Sequence, residues 1–375
     1  MLAGCGFQLT PPSGSGDGPG AGSDASNLDP PWWDDAWGHR RRLVVTTGAV
    51  RPDKGYAGYT VRLVIDPATL TGSACDDARI VVWNGTAWTE LASHLIGCGT
   101  PSLDLRFAVP SDIADSATWR DAFLYYDHPT APAAMPPEGS AVYLWWDPAS
   151  VDRSADYARG RMDAWLSTGH DNSLTWAPSG AYLYNTGDDS QSSYRRPVDE
   201  RDVLVEASWF HTGCYTNNMQ SGVCARGIIA TGTGGSEAST HYYCTSRAQN
   251  PTCPNNDQGI YDGDIVDEDN EIIALQGLTD PPPIVPNQWR TQALAVFGAA
   301  PTQLRFWDAD AAWSALAMPP AAALQATGTA AHEHTGRGFA GMMTSQDIGQ
   351  LRNIVIRRYT EPEPVVSVEN EVARP

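Results

Sequence analysis

Basic side chains are scarce in this chain: 24 Lys and Arg stand against 44 Asp and Glu, giving a formal net charge of −20. A surface of that sign repels phosphate backbones and has no electrostatic hold on anionic lipid, so no nucleic-acid partner is expected. Long apolar runs are missing as well, and no stretch reaches the roughly 20 residues that a membrane-spanning helix needs. Helical periodicity is equally thin, its best instance being SDIADSATW, residues 111–119. No G-x-S-x-G, H-E-x-x-H or phosphate-binding loop occurs, which leaves no specific sequence sign of an enzyme.

What the chain has instead is 14 Trp, 35 Gly and 28 Pro, a composition of strands and turns. From Leu43 onward the strands follow closely. In YTVRLVIDP, Tyr59, Val61, Leu63 and Ile65 recur with the period of a half-buried strand. SLDLRFAVP repeats the pattern through Leu103, Leu105, Phe107 and Val109, and WRDAFLYYDHP adds another strand. ARIVVWNGTAWTEL holds two short runs joined across Asn84-Gly85, a strong hairpin signal. Strands with turns every ten residues or so predict an antiparallel sandwich. Pro-rich APAAMPPEGS, residues 131–140, marks a boundary. Beyond it DVLVEASWF, ARGIIATG, HYYCTS, NEIIALQG, QWRTQALAVFG, TQLRFWDAD, RGFAGMM and LRNIVIRRYTEPEP again read as strands.

Seven cysteines fall along the chain. Setting Cys5 aside, they form three neighbouring couples: Cys75 with Cys98, Cys214 with Cys224, and Cys244 with Cys253. Polar, turn-forming stretches separate the last two couples, so these cysteines are expected in loops and as disulfides of an oxidising compartment. Zinc is the rival reading, but no C-x-x-C occurs and the His residues do not cluster with the thiols. Reduced core cysteines are the plain alternative, and spacing alone leaves the pairing open.

Cys5 has a different context. Leu2-Ala3-Gly4-Cys5 resembles the cleavage site of a bacterial lipoprotein, with Cys5 as the lipidated residue. Only Met1 precedes Leu2, so the basic stretch and apolar run of an export signal would lie upstream. After Cys5 the polar run from Pro11 to Pro30 buries too little surface to order itself and is expected to be a disordered tether. An exported protein, anchored in the outer membrane through lipid and displayed at the cell surface, is the resulting expectation.

Two family resemblances refine the architecture. PWWDDAWGHRRRLVV, DDARIVVWNG and FLYYDHPTAPA resemble DUF2341, a bacterial domain family without an agreed activity that occurs in secreted and surface proteins. Asp127 stands where that family usually has Gly. The second half, opening at AVYLWWDPASVDRSADYARGRMDAW, is similar in strand order to the concanavalin A-like lectin/glucanase sandwich. The expected fold is therefore all-β: a tether over 1–30, two antiparallel, jelly-roll-like sandwiches over 31–137 and 138–363, and a C-terminal tail over 364–375.

Chemistry has few footholds. Retaining glucanases of the concanavalin type set carboxyls about 5 Å apart on one strand face. The nearest string, YDGDIVDEDNE, holds Asp262, Asp264, Asp267, Glu268, Asp269 and Glu271, but lacks the leading Glu and shows no strand alternation. The same acidic string could gather the oxygens calcium needs, with Asp262, Asp264, Asp267 and Asp269 as ligands; a solvated acidic loop is the plain alternative. No other cofactor is expected. His332-Glu333-His334 reads as a surface loop. Sugars stack on exposed aromatic faces, which makes Trp209, Tyr215, Tyr242, Trp307 and Trp313 the aromatic candidates. Trp209 continues the Val203-Val205-Ala207 face and is read as core, so Tyr215, Tyr242, Trp307 and Trp313 remain. The function expected is non-enzymatic recognition of a glycan or another surface protein. A divergent glycoside hydrolase or lyase, or a structural assembly subunit, are the alternatives.

Overall fold

The computed structural model describes residues 29–72, 77–97, 102–134, 141–161, 174–185, 191–214, 220–230, 238–247, 258–264, 270–273, 287–299, 301–309, 324–329, 337–345 and 347–374, several strands by their backbone course alone. Its strands run β1 (His39–Thr46), β2 (Thr60–Ile65), β3 (Arg79–Trp83), β4 (Trp88–Leu91), β5 (Ser93–Gly97), β6 (Leu103–Ala108) and β7 (Thr118–Tyr126) in the first half. The second half holds β8 (Trp145–Asp147), β9 (Ala158–Arg161), β10 (Thr175–Ala177), β11 (Ala181–Asn185), β12 (Gln191–Val198), β13 (Val203–Cys214), β14 (Gln220–Ala230) and β15 (Ala238–Arg247). It continues through β16 (Gln258–Asp264), β17 (Asn270–Ile273), β18 (Trp289–Phe297), β19 (Gln303–Ala309), β20 (Leu324–Thr329), β21 (Gly338–Ser345) and β22 (Asp347–Arg358), and β23 (Val365–Ala373) closes the chain. The helical turns among the described residues are two short 3-10 pieces, Pro67–Thr69 and Ser154–Asp156.

The protein is all-β, as its strand periodicity predicts. In the first sandwich a five-stranded sheet, β23-β1-β7-β3-β4, packs on a three-stranded sheet, β2-β6-β5. The alternating residues supply the filling: Tyr59, Val61, Leu63 and Ile65 meet Leu103, Leu105, Phe107 and Val109 in one cluster with Leu43, Val45, Ile80 and Leu124. Each such side chain contributes roughly 1.5–3 kcal/mol on leaving water. In the second sandwich an eight-stranded sheet carries the path β10-β11-β22-β13-β18-β19-β20, with β8 beside β22. It faces a seven-stranded sheet, β14-β21-β12-β9-β15-β16-β17. Val203, Val205, Ala207 and Trp209 of β13 pack there with Leu294, Phe306, Ile356 and Met342, so Trp209 is core, as its alternation predicts.

Two expectations need correcting. The segment expected as a tail forms β23, which pairs antiparallel with β1 in the first sandwich. Its side chains are exposed or half-buried, and only Val366 and Val368 pack on the core, an apolar period too short to announce a strand; backbone pairing at a sheet edge does the rest. Three cysteines expected in loops lie instead on strands: Cys214 ends β13, and Cys224 and Cys244 face each other in the β14–β15 register. Cys224 is buried and disulfide-bonded. Cys5, Cys75, Cys98 and Cys253 lie outside the described residues.

Residues Trp33–Pro375 form one unit and Met1–Trp32 another. Within the larger unit the outward face of the β2-β6-β5 sheet meets the segment 142–146, β13 and β22 of the second sandwich. Thr60 Oγ1 donates to the Val142 carbonyl at 2.5 Å. His94 Nδ1 lies 3.1 Å from the Tyr143 hydroxyl, and its ring sits 4.2 Å from Trp146. Ion pairs join the rim, Arg337 Nη2 to Asp53 Oδ2 at 2.8 Å and Lys54 to Asp199.

An aromatic and arginine face on the first sandwich

The aromatic side chains gather on the outward face of the five-stranded sheet. On β7, Ala122, Leu124 and Tyr126 point into the core, so Phe123 and Tyr125 point out. By the same alternation Arg79, Val81 and Trp83 of β3 face outward. The β3–β4 turn brings Trp88 onto the same face: Trp83 and Trp88 pair directly across the strands, with ring centroids 5.1 Å apart. Four residues close that hairpin. Asn84 Oδ1 accepts from Thr86 N at 2.9 Å and from Ala87 N at 2.8 Å, and Gly85 takes φ +94, which a side chain would resist.

The stretch ahead of β1 completes the face. Asp34 Oδ1 accepts from Ala36 N at 2.8 Å, a turn that stacks Trp33 and Trp37 5.4 Å apart at 25°. Both rings meet Tyr125 edge-on, at 5.6 and 6.4 Å. The Tyr125 hydroxyl accepts from Trp33 N at 3.0 Å and from Arg40 Nη1 at 3.2 Å. Trp88 touches Tyr125 at 5.9 Å and Phe123 at 5.4 Å, so the rings run continuously from Trp83 to Trp37. Guanidinium groups are interleaved with them: Arg40 and Arg42 lie 5.2 and 4.9 Å from the Phe123 centroid, and Arg79 lies 5.8 Å from Trp37. Trp37, Phe123 and Tyr125 are buried by their neighbours, whereas Trp33, Trp83, Trp88 and Arg42 are half-buried and form the accessible layer. The Trp88 indole N–H has no hydrogen-bond acceptor. Glu90 of β4 lies on the same face, 3.7 Å from Arg79 Nε, so the surface offers flat apolar rings and planar donors with one carboxylate among them.

The aromatic candidates of the sequence reading fall elsewhere. Trp307 is 6% exposed and packs on Tyr359 at 6.3 Å beside Leu204 and Phe297, so it is a packing residue and not a stacking platform. Phe306 and Trp307 do point to opposite faces of β19, but both faces of that sheet are covered. Tyr242 is placed on β15 opposite Gly263; Tyr215 and Trp313 lie outside the described residues. Asp262 and Asp264 belong to β16, with Glu271 of β17 opposite Asp262, so this part of the acidic string is a strand pair near a sheet edge and not a loop. The segment forms a strand although it has no apolar alternation, because pairing with β15 and β17 uses backbone groups. Asp267, Glu268 and Asp269 lie outside the described residues, as do His332, Glu333 and His334. Among the described residues no three His, Cys, Asp or Glu side chains are grouped to hold a metal ion. No helix among them is long and apolar enough to cross a membrane.

Sequence reasoning passed over the aromatic face because its members are scattered between residues 33 and 125 and each reads alone as a strand residue. The signal was the outward register: Trp83, Phe123 and Tyr125 occupy positions that a singly buried sheet leaves to polar residues.

No family model matches the chain, and no curated protein matches it by sequence. Among solved structures, the potassium-bound carbohydrate recognition domain of Emp46p superposes on 56% of this chain and 94% of its own, with 9% identity and a TM-score of 0.35. The exoplasmic/lumenal domain of VIP36, bound to Ca2+ and Man3GlcNAc, does so over 56% and 92%, with 10% identity and a TM-score of 0.31. Domain 4 of AbnA, an extracellular arabinanase of Geobacillus stearothermophilus in complex with arabinotriose, covers 54% and 82%, with 11% identity and a TM-score of 0.31. At these TM-scores the assignment of the fold rests on the sheets themselves.

Proposed function

We propose that the protein recognises glycans without altering them, and that the outward face of the five-stranded sheet is where it does so. One observation carries this reading: Trp33, Trp83 and Trp88 form an accessible ring layer beside Arg42, over a second layer of Trp37, Phe123 and Tyr125. Sugar rings present apolar C–H faces to such indoles, while guanidinium groups take the hydroxyls. The inner layer holds the outer one in place, which reduces the ordering cost of binding.

By the same reading the protein is exported and lipid-anchored through Cys5 in the outer membrane, with the polar run to Pro30 as a spacer. The first sandwich is DUF2341-like, in keeping with Asp127 at φ +63 where that family has Gly, a backbone region that glycine favours. The second sandwich is concanavalin A-like. Disulfides join the remaining cysteines, Cys224 with the opposite Cys244 among them. Calcium, where bound, sits at Asp262, Asp264, Asp267 and Asp269.

The test is a polysaccharide screen of the whole chain, with calcium and again with a chelator, repeated for Trp88→Ala and Trp33→Ala. Saturable binding to one glycan class that falls at least about tenfold in either variant, each fold checked by circular dichroism, is the expected result. Wild-type binding that survives both substitutions would remove the face as the site; no glycan binding in either condition would leave a protein partner.

A further inference from the structure

The junction between the two sandwiches buries a group of charges that neither core needs. Glu206 of β13 points away from the Val203-Val205-Ala207 face and is 0% exposed. It faces Arg357 Nε of β22 at 3.6 Å, too long for a hydrogen bond, and neither carboxylate oxygen accepts one. Arg106 of β6, from the other sandwich, is 2% exposed, and its Nε and Nη2 have no partner. Arg357 Nη1 is held by Glu363 at 3.0 Å, in the connection to β23. Tyr143 and Tyr59 are buried alongside, the Tyr59 hydroxyl without a partner. Asp104 of β6 is taken up by Arg62, with Nη2 to Oδ2 at 2.6 Å.

Taking a carboxylate out of water costs several kcal/mol, and a loose ion pair without hydrogen bonds recovers little of it. An apolar contact here would dock the sandwiches more firmly. We infer that Glu206 makes this junction pH-sensitive: the sandwiches pack tightly with its carboxyl neutral, and its ionisation loosens them.

The electrostatics agree with the geometry. Burial pushes Glu206 up to about 7, against the downward pull of Arg106 and Arg357. When the junction opens, water returns and the carboxyl reverts to its ordinary 4.5. The closed state therefore binds the proton more tightly, and closure weakens as pH rises from about 4.5 to about 7. That shift corresponds to a change on the order of a hundredfold in the opening equilibrium. The shifted neighbours move out of this window. His94 is pushed down to about 4, by burial first and then by Arg106. Burial raises Tyr59 and Tyr143. Burial lowers Arg106 without bringing a guanidinium near neutrality, and Arg357 is raised by Glu363 and Glu206 against its burial. At the rim Asp199 is lowered, by its hydrogen bond from Lys54 first.

The experiment is native-state hydrogen exchange of the whole chain from about pH 5 to about pH 9, corrected for intrinsic rates, read in peptides from β6 and β22. Wild-type protection of these two strands should fall on the order of a hundredfold across the range while β7 holds steady, and Glu206→Gln should keep it high throughout. A flat wild-type profile, or a Glu206→Gln profile that follows the wild type, overturns the inference. If the variant does not fold, carbon-13 NMR of wild-type glutamate carboxyls decides: one titrating near 7 supports it, and none above about 5.5 overturns it.

Discussion

Asp147 shows how much of this fold hangs on single polar side chains. It is fully buried and accepts from the hydroxyls of Tyr157 and Tyr182, each at 2.8 Å, and from Ala149 N at 2.8 Å. Trp145 Nε1 in turn donates to Tyr157 at 2.9 Å. Burial, reinforced by the Asp147 carboxylate, raises both tyrosines, which stay neutral donors. Asp147→Ala strands two phenols and an amide, so a loss of about 2–4 kcal/mol in urea unfolding is expected, and Asp147→Asn should recover part of it. The Arg290–Asp308 pair makes the same point inside the second sandwich, with Nη2 to Oδ1 at 2.6 Å and both side chains buried. Asp308→Ala removes the carboxylate that faces this buried guanidinium and should cost about 3–5 kcal/mol by the same measurement.

At the scale of elements, the ends of the chain meet in one sheet. β23 covers the outer edge of β1, and Glu371 fastens it: Glu371 accepts from the Tyr126 hydroxyl and from Thr71 Oγ1 at 2.7 Å, and lies 3.3 Å from His39 Nδ1. Ending the chain at Pro364 would leave the β1 edge unpaired beside Leu43 and Val45. Self-association in sedimentation velocity, at concentrations where the full chain is monodisperse, is the expected consequence. The β3–β4 hairpin carries a separate prediction. Gly85→Val forces a β-branched side chain to φ +94 and should lower stability by about 1–2 kcal/mol, and glycan binding with it, because the same turn sets Trp83 against Trp88.

Across the whole molecule two carboxyls set opposite pH limbs. Burial works to raise Glu371, but its hydrogen bonds from Tyr126 and Thr71 bring it down to about 2. A depressed carboxyl stabilises the fold above its ordinary value of 4.5, and that contribution is lost as pH falls towards about 2. Glu206 is raised, so its contribution is complete below 4.5 and is lost as pH rises through about 7. Thermal stability, followed by calorimetry, should therefore peak near pH 4.5, with Glu371→Gln flattening the acid limb and Glu206→Gln the alkaline one.

Period-two alternation was enough to assign the all-β class and much of the core, because a strand with one buried face must repeat its apolar residues every second position. Tyr59 to Ile65, Leu103 to Val109 and Val203 to Trp209 all pack as that rule requires. It was not enough for β23, where only Val366 and Val368 pack on the first core before Asn370 breaks the period, so the strand is held largely by its backbone pairing with β1. Nor did it reveal the aromatic face, since Trp33, Trp88 and Tyr125 become neighbours only when β1, β7, β3 and β4 lie side by side. Glu206 is the sharpest case. Within DVLVEASWF it occupies the face opposite the core, where a charge ordinarily meets water, and only the docking of a second sandwich against that face takes the water away.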